Sequence, residues 1–351
     1  MKNIIFAISS LLISTMVFSC EKDIILDIAP GENDPVVESW IYDNSGPLVM
    51  LSRQFSGYGS FQQATLTDSL NIKNATISVS ENNGPKTFLV EQDLYGLPQD
   101  LLDQFLDAIR TPRIFSELVP FLAPLTLDEQ IAFVEQFFSG VEEESERNAA
   151  VALIIYINTV NFYIDTTNTI IGKGGFSYEL EIEVNGKQIS AITTIPLKQD
   201  INFLTYDIDQ DDPNFAQVKV NLTVPDNFDA FVLLANRKND SSAYYIPDYF
   251  GGGLSDNGIY AGSGTITLPL LRGYGDNENA DVSIIGLFEV GDKVTLKWQN
   301  IDEATYRFWF SVFNDGGDTP FSAATIIQGN INGGFGIWAG YNTSYTTIQI
   351  Q

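Results

Sequence analysis

Few residue types in this chain could do chemistry. Its 351 residues include one cysteine and no histidine. That removes Ser-His-Asp and Cys-His nucleophilic sites, HExxH zinc sites and imidazole shuttles. What is left is mainly carboxylate, with 45 acidic side chains against 18 basic ones. The densest group is "DIDQDDPN", where Asp207, Asp209 and Asp211 alternate and Asp212 and Asn214 follow. Hard oxygen ligands at that spacing can begin to wrap a calcium ion. The complete loop pattern fails, because Asp212 stands where glycine belongs and Val218 where the bidentate glutamate belongs. A solvated acidic linker is the plainer account; calcium is the one ion this loop could take, and no other cofactor is expected. Glu179, Glu181 and Glu183 resemble paired catalytic carboxylates at first sight. They alternate with Tyr178, Leu180, Ile182 and Val184, which makes them the wet side of a half-buried strand.

The cysteine, Cys20, sits in "VFSCEKD" behind "IIFAISSLLISTMVF", with Lys2 ahead of that apolar run. A charged head, an apolar middle and a small residue before the cut form a secretory signal over residues 1–19. The run is short for a membrane span, which needs about 20 predominantly apolar residues. "VFSC" resembles a bacterial lipobox, with Val17 and Phe18 departing from the commoner Leu and small residue. In a lipobox the thiol receives diacylglycerol, so Cys20 is the expected lipidation site. "EKD" behind it resembles the signal that sends Bacteroidota lipoproteins to the outer face of the outer membrane. With Cys20 so used, no thiol serves disulfides, metal or catalysis.

The net charge of −27 repels nucleic-acid phosphates and anionic lipid, so neither is an expected partner surface. A 44% hydrophobic fraction is ample for a core. The length suits two domains, at about 100–200 residues each.

These groups must be positioned by a mainly β chain. Residues 20–35, with Pro30, Gly31 and Pro35, read as a lipidated tether. "VVESWIYDNSGPLVMLSRQF" gives two strands around a turn, and "ATISVSENNGPKTFLVEQD" a hairpin turning at Asn83-Gly84. "FSYELEIEVNGKQISAITTI" is a hairpin whose Asn185-Gly186 suits a type I′ turn. Between these hairpins the period becomes helical. "PQDLLDQFLDAI" stripes Leu102, Phe105, Leu106 and Ile109, "TLDEQIAFVEQFF" places Thr126 and Glu129 as a capping box, and "EEESERNAAVALIIYI" starts acidic. Residues 98–162 are therefore a helical insertion, read either as a cover for an open sheet or as a partner-docking arm. "VKVNLTV" and "DKVTLKW" are strands by alternation, "TTIQIQ" is a terminal strand, and "NIDEATYRFWFSVF" fits helix or buried strand. "YYIPDYFGGG" and "GGFGIWAGYNTSY" combine aromatics with glycines, as sugar-stacking loops do; core aromatics beside tight turns are the plainer account. The expected fold is two β-rich domains. Residues 36–199 form a sandwich of immunoglobulin-like character carrying the insertion, and residues 200–351 form the second domain.

The stretches "VVESWIYDNSGPLVMLSRQFSGY", "FEVGDKVTLKWQNIDEATYRFWFSVFN" and "TPFSAATIIQGNINGGFGIWAGYNTSY" together resemble a Bacteroidota lipoprotein family, domain of unknown function 4249. Ser39 replaces the family's usual glycine, and "GNINGG" stands for the commoner "SNIEGG". The similarity is expected over most of the chain after the signal, except residues 98–162. The resemblance implies a helix at "NIDEATYRFWFSVF" and no established activity or site residues. Because members are often encoded beside TonB-dependent receptors, it also implies an accessory surface lipoprotein. The expected function is a non-catalytic, ligand-capturing or accessory subunit of such a β-barrel receptor on the outer membrane. A structural or adhesive surface lipoprotein is the alternative, and a carboxylate-dependent glycan hydrolase, needing two carboxyls in one cleft, a third.

Overall fold

Period-two alternation and Asn-rich turns produce most of the architecture seen in the computed structural model of the chain. It describes residues 34–53, 72–108, 114–137, 151, 153–154, 157–158, 160–199, 201–224, 230–236, 245–247, 253–256, 264–272, 286–313 and 327–351. Cys20 and residues 21–33 of the expected tether lie outside these. The first half holds β1 (Pro35–Tyr42), β2 (Pro47–Arg53), β3 (Thr76–Glu81), β4 (Lys86–Phe88) and β5 (Val90–Gln92). Helices α1 (Gln99–Ala108), α2 (Ile114–Leu122) and α3 (Leu127–Phe137) follow, then β6 (Phe162–Ile164), β7 (Ser177–Val184) and β8 (Lys187–Thr194). The second half holds β9 (Ile201–Ile208), β10 (Phe215–Thr223), β11 (Ala230–Asn236), β12 (Ile246–Pro247), β13 (Leu254–Asp256), β14 (Thr265–Leu270) and β15 (Phe288–Glu289). It closes with β16 (Lys293–Ile301), α4 (Glu303–Phe313) and the long β17 (Phe335–Gln349). The protein is mainly β.

A nine-stranded sheet runs β12-β11-β16-β17-β1-β2-β6-β5, with β13 also on β11. Its central joint is the parallel pairing of β1 with β17, in which Val37 meets Gly336 and Tyr42 meets Tyr341. Strands from both sides of residue 200 thus share one sheet, and residues Asp34–Gln351 form one compact unit. Near residue 200, where the second domain is expected to begin, the chain passes from one smaller sheet to another. One is β4-β3-β7-β8, and the other is built on β10 with β9, β14 and β15.

Both small sheets cover the same face of the large one. Val37, Ile41, Val49, Leu51, Tyr163 and Trp338 pack against Ile77, Val79, Tyr178, Leu180 and Ile182. Further along, Val294, Leu296 and Trp298 pack against Val218, Val220, Leu222 and Leu270. The expected sandwich is present, and one of its layers is completed by β17 from the far end of the chain. The opposite face is covered by helices. Leu101, Leu102, Phe105, Leu106 and Val134 close over Leu48, Met50, Phe162 and Ile164. The helical insertion therefore covers a sheet, and Glu129 accepts hydrogen bonds from the Thr126 N–H and hydroxyl at 2.9 Å, starting α3. Among the described residues no helix is long and apolar enough to cross a membrane.

The β7–β8 turn has Asn185 and Gly186 at positive φ, as a type I′ turn requires. The β3–β4 turn differs from expectation. Asn82 and Asn83, not Asn83 and Gly84, hold the two positive-φ positions; among residues with a Cβ, asparagine enters the left-handed region most readily. "NIDEATYRFWFSVF" is helical at α4, where Asp302 accepts from the Thr305 N–H at 2.8 Å.

Between the two sandwich cores lies a buried polar seam. The linker leaving β8 crosses the large sheet beside β17, whose inward positions 340, 342 and 344 meet it in turn. Gly340 leaves room for the Thr194 carbonyl, which a Cβ would approach to 2.7 Å. The Asn342 amide donates to the Pro196 carbonyl at 2.9 Å, and the Ser344 hydroxyl to the Gln199 carbonyl at 3.3 Å. On β16, Asn300 accepts from the Gln199 N–H at 3.0 Å. These side chains replace the strand partners that the linker backbone lacks.

Candidate functional site

The calcium-like residues sit at the turn from β9 to β10. Asp209 Oδ1 accepts from the N–H groups of Asp211 and Asp212, at 3.0 and 2.9 Å. Asp212 Oδ1 accepts from the N–H and side-chain amide of Asn214, at 3.0 and 2.8 Å. Asp207 points across to β10 and pairs with Lys219. The loop spends these carboxylates on turn geometry and a cross-strand ion pair. Among the described residues no three His, Cys, Asp or Glu side chains gather where they could hold a metal. The glutamates of β7 lie on the outer side of their sheet, while Tyr178, Leu180, Ile182 and Val184 are buried, and Glu181 pairs with Lys86 of β4.

"GGFGIWAGYNTSY" is core rather than an open loop. It is the start of β17, Trp338 is fully buried, and its indole donates to the Tyr178 carbonyl at 2.9 Å. Its glycines admit close backbone approach: at Gly336, φ is +108° and a Cβ would stand 2.0 Å from the Val37 carbonyl oxygen. "YYIPDYFGGG" lies outside the described residues except Tyr245, Ile246, Pro247 and Gly253. Cys20 is outside them as well.

The described residues bring together one polar and aromatic cluster, on the helix-covered face. Alternation puts Lys297 and Gln299 of β16 on that face with Tyr341, Thr343 and Tyr345 of β17. Register sets Lys297 opposite Tyr345 and Gln299 opposite Thr343. Tyr42, at the end of β1, stacks on Tyr341 with centroids 4.9 Å apart. The Gln299 amide donates to the Tyr42 hydroxyl at 3.2 Å, and the Trp309 indole of α4 donates to the Tyr341 hydroxyl at 2.9 Å. Lys297, with its side chain 7% exposed, pairs with Asp107 of α1 and lies 5.5 Å from the centre of the Tyr245 ring. Tyr245 and Tyr345 bring their rings within 5.9 Å.

Burial holds the Tyr42 and Tyr341 phenols well above their ordinary range; Asp107 adds to the effect at Tyr42, and Tyr42 adds to it at Tyr341. Both stay protonated at any physiological pH, as hydrogen-bonding groups. The Lys297 ammonium is tied to a carboxylate. The cluster therefore joins three elements, α1, α4 and the sheet, through groups that each have a partner. Its chemistry is that of a binding or fastening surface.

Sequence reasoning did not find this cluster, because Asp107 and Lys297 are 190 positions apart. The available signal was Lys297 itself, a charge set between Leu296 and Trp298 in the middle of a strand.

A search of curated proteins finds no match to this chain. A family model described as Domain of unknown function (DUF4249) matches residues 129–347. The match differs from the expected similarity: it starts inside the helical insertion, within α3, and leaves out β1 and β2. It takes in the polar seam and every member of the cluster except Tyr42 and Asp107. The matched segment is more than half of the chain, and the chain belongs to the DUF4249 family.

Proposed function

We propose that the protein is a lipoprotein of the outer-membrane surface, held through Cys20, that acts as a non-catalytic accessory or ligand-capturing subunit of a TonB-dependent β-barrel receptor. The observation that carries this reading is "VFSCEKD". It holds the chain's one cysteine, placed directly behind an apolar run and followed by a charged tether. Several acyl chains on one N-terminus would hold it durably, at about 0.8 kcal/mol per buried methylene. Two further observations support it. The absence of histidine removes the commonest hydrolytic machinery, and the polar cluster on the helix face is engaged in joining elements. The receptor enters through the family resemblance, whose members are often encoded beside such receptors.

The test compares the full-length chain with Cys20→Ser in the cells that make it. The reading predicts a diacylglycerol-modified Cys20 peptide, membrane fractionation lost in Cys20→Ser, and co-isolation of the natural chain with a stoichiometric β-barrel. An unmodified Cys20 peptide would contradict the anchor. A lipidated chain that comes down alone would contradict the receptor.

A further inference from the structure

A β-sheet that stops leaves a row of unpaired N–H and C=O groups on its last strand, and folded chains cover or blunt that row. Most strands that end the sheets of this molecule do so. β4, β5, β12, β13 and β15 are only two or three residues long, and β14 carries Pro269. β8 is long but covered. Ser190 exchanges backbone hydrogen bonds with Asn332 at 3.0 and 2.8 Å, and the Asn330 amide donates to the Ile192 carbonyl at 3.0 Å. Asp302 accepts from the Thr194 N–H, also at 3.0 Å.

β9 is the exception. It runs for 8 residues with no proline and no lysine, and its one bulge, at Asn202, lies near its start. It pairs with β10 and with no other strand. The Asp209 N–H bonds to the Phe215 carbonyl at 2.8 Å, so by alternation Phe203, Thr205 and Asp207 turn their backbone groups to β10. Leu204, Tyr206 and Ile208 turn theirs outward, where no group among the described residues meets them. The strand is held from within. Leu204 and Tyr206 pack on the core lined by Val218 and Val220, and the Tyr206 hydroxyl donates to the Gln351 carbonyl at 3.2 Å. Phe203 and Ile208, 53% and 40% exposed, add apolar surface beside the open row.

We propose that the outward edge of β9 pairs antiparallel with β9 of a second copy, joining two four-stranded sheets into one across a two-fold axis. The open row of backbone groups itself specifies a strand as occupant. The charges around β9 specify its own copy. Its one charged side chain, Asp207, is paired with Lys219, so the strand does not repel itself. The ends carry opposite charge. Lys198 precedes the strand and Asp211 follows it, both exposed and neither with an ion-pair partner. Antiparallel pairing sets the Lys198 end of each copy against the Asp211 end of the other. A two-fold axis at Thr205 faces Leu204 with Tyr206 of the other copy, twice, and keeps the two Asp207 side chains apart. The net charge of −27 opposes association only weakly beyond about 8 Å, where salt screens it. An isologous contact of this kind closes at two copies. The pairing does not depend on the function proposed above.

The experiment uses the full-length chain, purified from the cells that make it in a density-matched detergent. Sedimentation equilibrium should show a reversible dimer, and Thr205→Lys/Ile208→Pro should weaken it about tenfold or more while still melting cooperatively. The lysine sets two ammonium groups face to face on the axis. The proline removes one outward N–H, a loss that an edge strand tolerates. Thr205→Cys reads the register directly. Mild oxidation should give a 205–205 disulfide, which can form only between copies, about ten times faster than Thr265→Cys on β14 gives its own. In cells, p-benzoylphenylalanine at position 205 should capture a second copy. Four results would overturn the pairing: a chain that is monomeric at every concentration, a dimer equally strong in the double variant, disulfides formed equally at 205 and 265, or capture of a different protein in place of a copy. Should the double variant fail to fold, the comparison of the two cysteine variants decides.

Discussion

The two faces of the large sheet bury polar groups for different ends. On the sandwich face, Asn300, Asn342 and Ser344 each meet linker backbone, and the polar groups lie in a line between two apolar cores. On the helix face, Tyr42, Lys297, Gln299 and Tyr341 meet one another and side chains of α1 and α4. The first set substitutes for missing strand pairing and fixes where the chain passes from one small sheet to the other. The second set fastens separate helices to the sheet and leaves aromatic rings at its edge. A buried polar residue that bonds to backbone specifies a path. One that bonds to a distant side chain joins two elements that could otherwise part.

The comparison can be broken at graded cost. The largest expected effect belongs to the joint both faces share. Gly336→Ala forces a Cβ against the Val37 carbonyl at a positive φ, which should cost more than about 3 kcal/mol in urea unfolding, or prevent folding. Next comes the helix face. Lys297→Met leaves Asp107 without its partner and should cost about 3 kcal/mol. The double variant with Asp107→Leu should recover much of that loss, and a double-mutant cycle by chemical denaturation reads the coupling. On the sandwich face, Asn300→Ala leaves the half-buried Gln199 N–H without that acceptor and should cost about 1 kcal/mol. No compensating change on the helix face should restore it.

The smallest effect is one of pH. Asp165 feels burial first, which alone would raise its carboxyl. Hydrogen bonds from the Thr167 hydroxyl and from the Ile170, Thr167 and Thr169 N–H groups outweigh burial and hold it below the ordinary carboxylate range. A folded value below the unfolded one, about 3.9, means its stabilisation is present above that pH and is lost as pH falls through the folded value. Asp165→Asn should therefore flatten the loss of stability below about pH 4 and leave its slope near pH 7 unchanged. Thermal melts across pH 2–7 would check this.

Local features of this fold were legible in the sequence, because they depend on neighbouring residues. The β7–β8 hairpin follows from Asn185-Gly186 and strict alternation, and α3 from Thr126 with Glu129. The insertion follows from the Leu102, Phe105 and Leu106 stripe. α4 was ambiguous from periodicity alone, since its aromatics occupy nearly every face; the family resemblance implied the helix. What could not be read depends on long-range pairing. The parallel β1–β17 joint brings Val37 to Gly336, and that pairing makes one continuous core strand of a glycine-rich stretch whose aromatics alone read as core beside tight turns. The seam escaped notice because Asn342 and Ser344 look like ordinary turn residues until the linker passes over them. Asp207 through Asn214 show the converse. Spacing suggests an ion, and the structure adds that Asp209 and Asp212 accept from N–H groups of the turn while Asp207 pairs with Lys219.

The difference between the two faces is tested most directly by a double-mutant cycle at Lys297 and Asp107 in urea unfolding, read beside Asn300→Ala. If the helix-face pair joins two elements, Lys297→Met and Asp107→Leu should couple by at least about 1 kcal/mol, and neither should couple to Asn300→Ala. Costs at Lys297 and Asp107 that simply add, or a comparable coupling to Asn300→Ala, would contradict it.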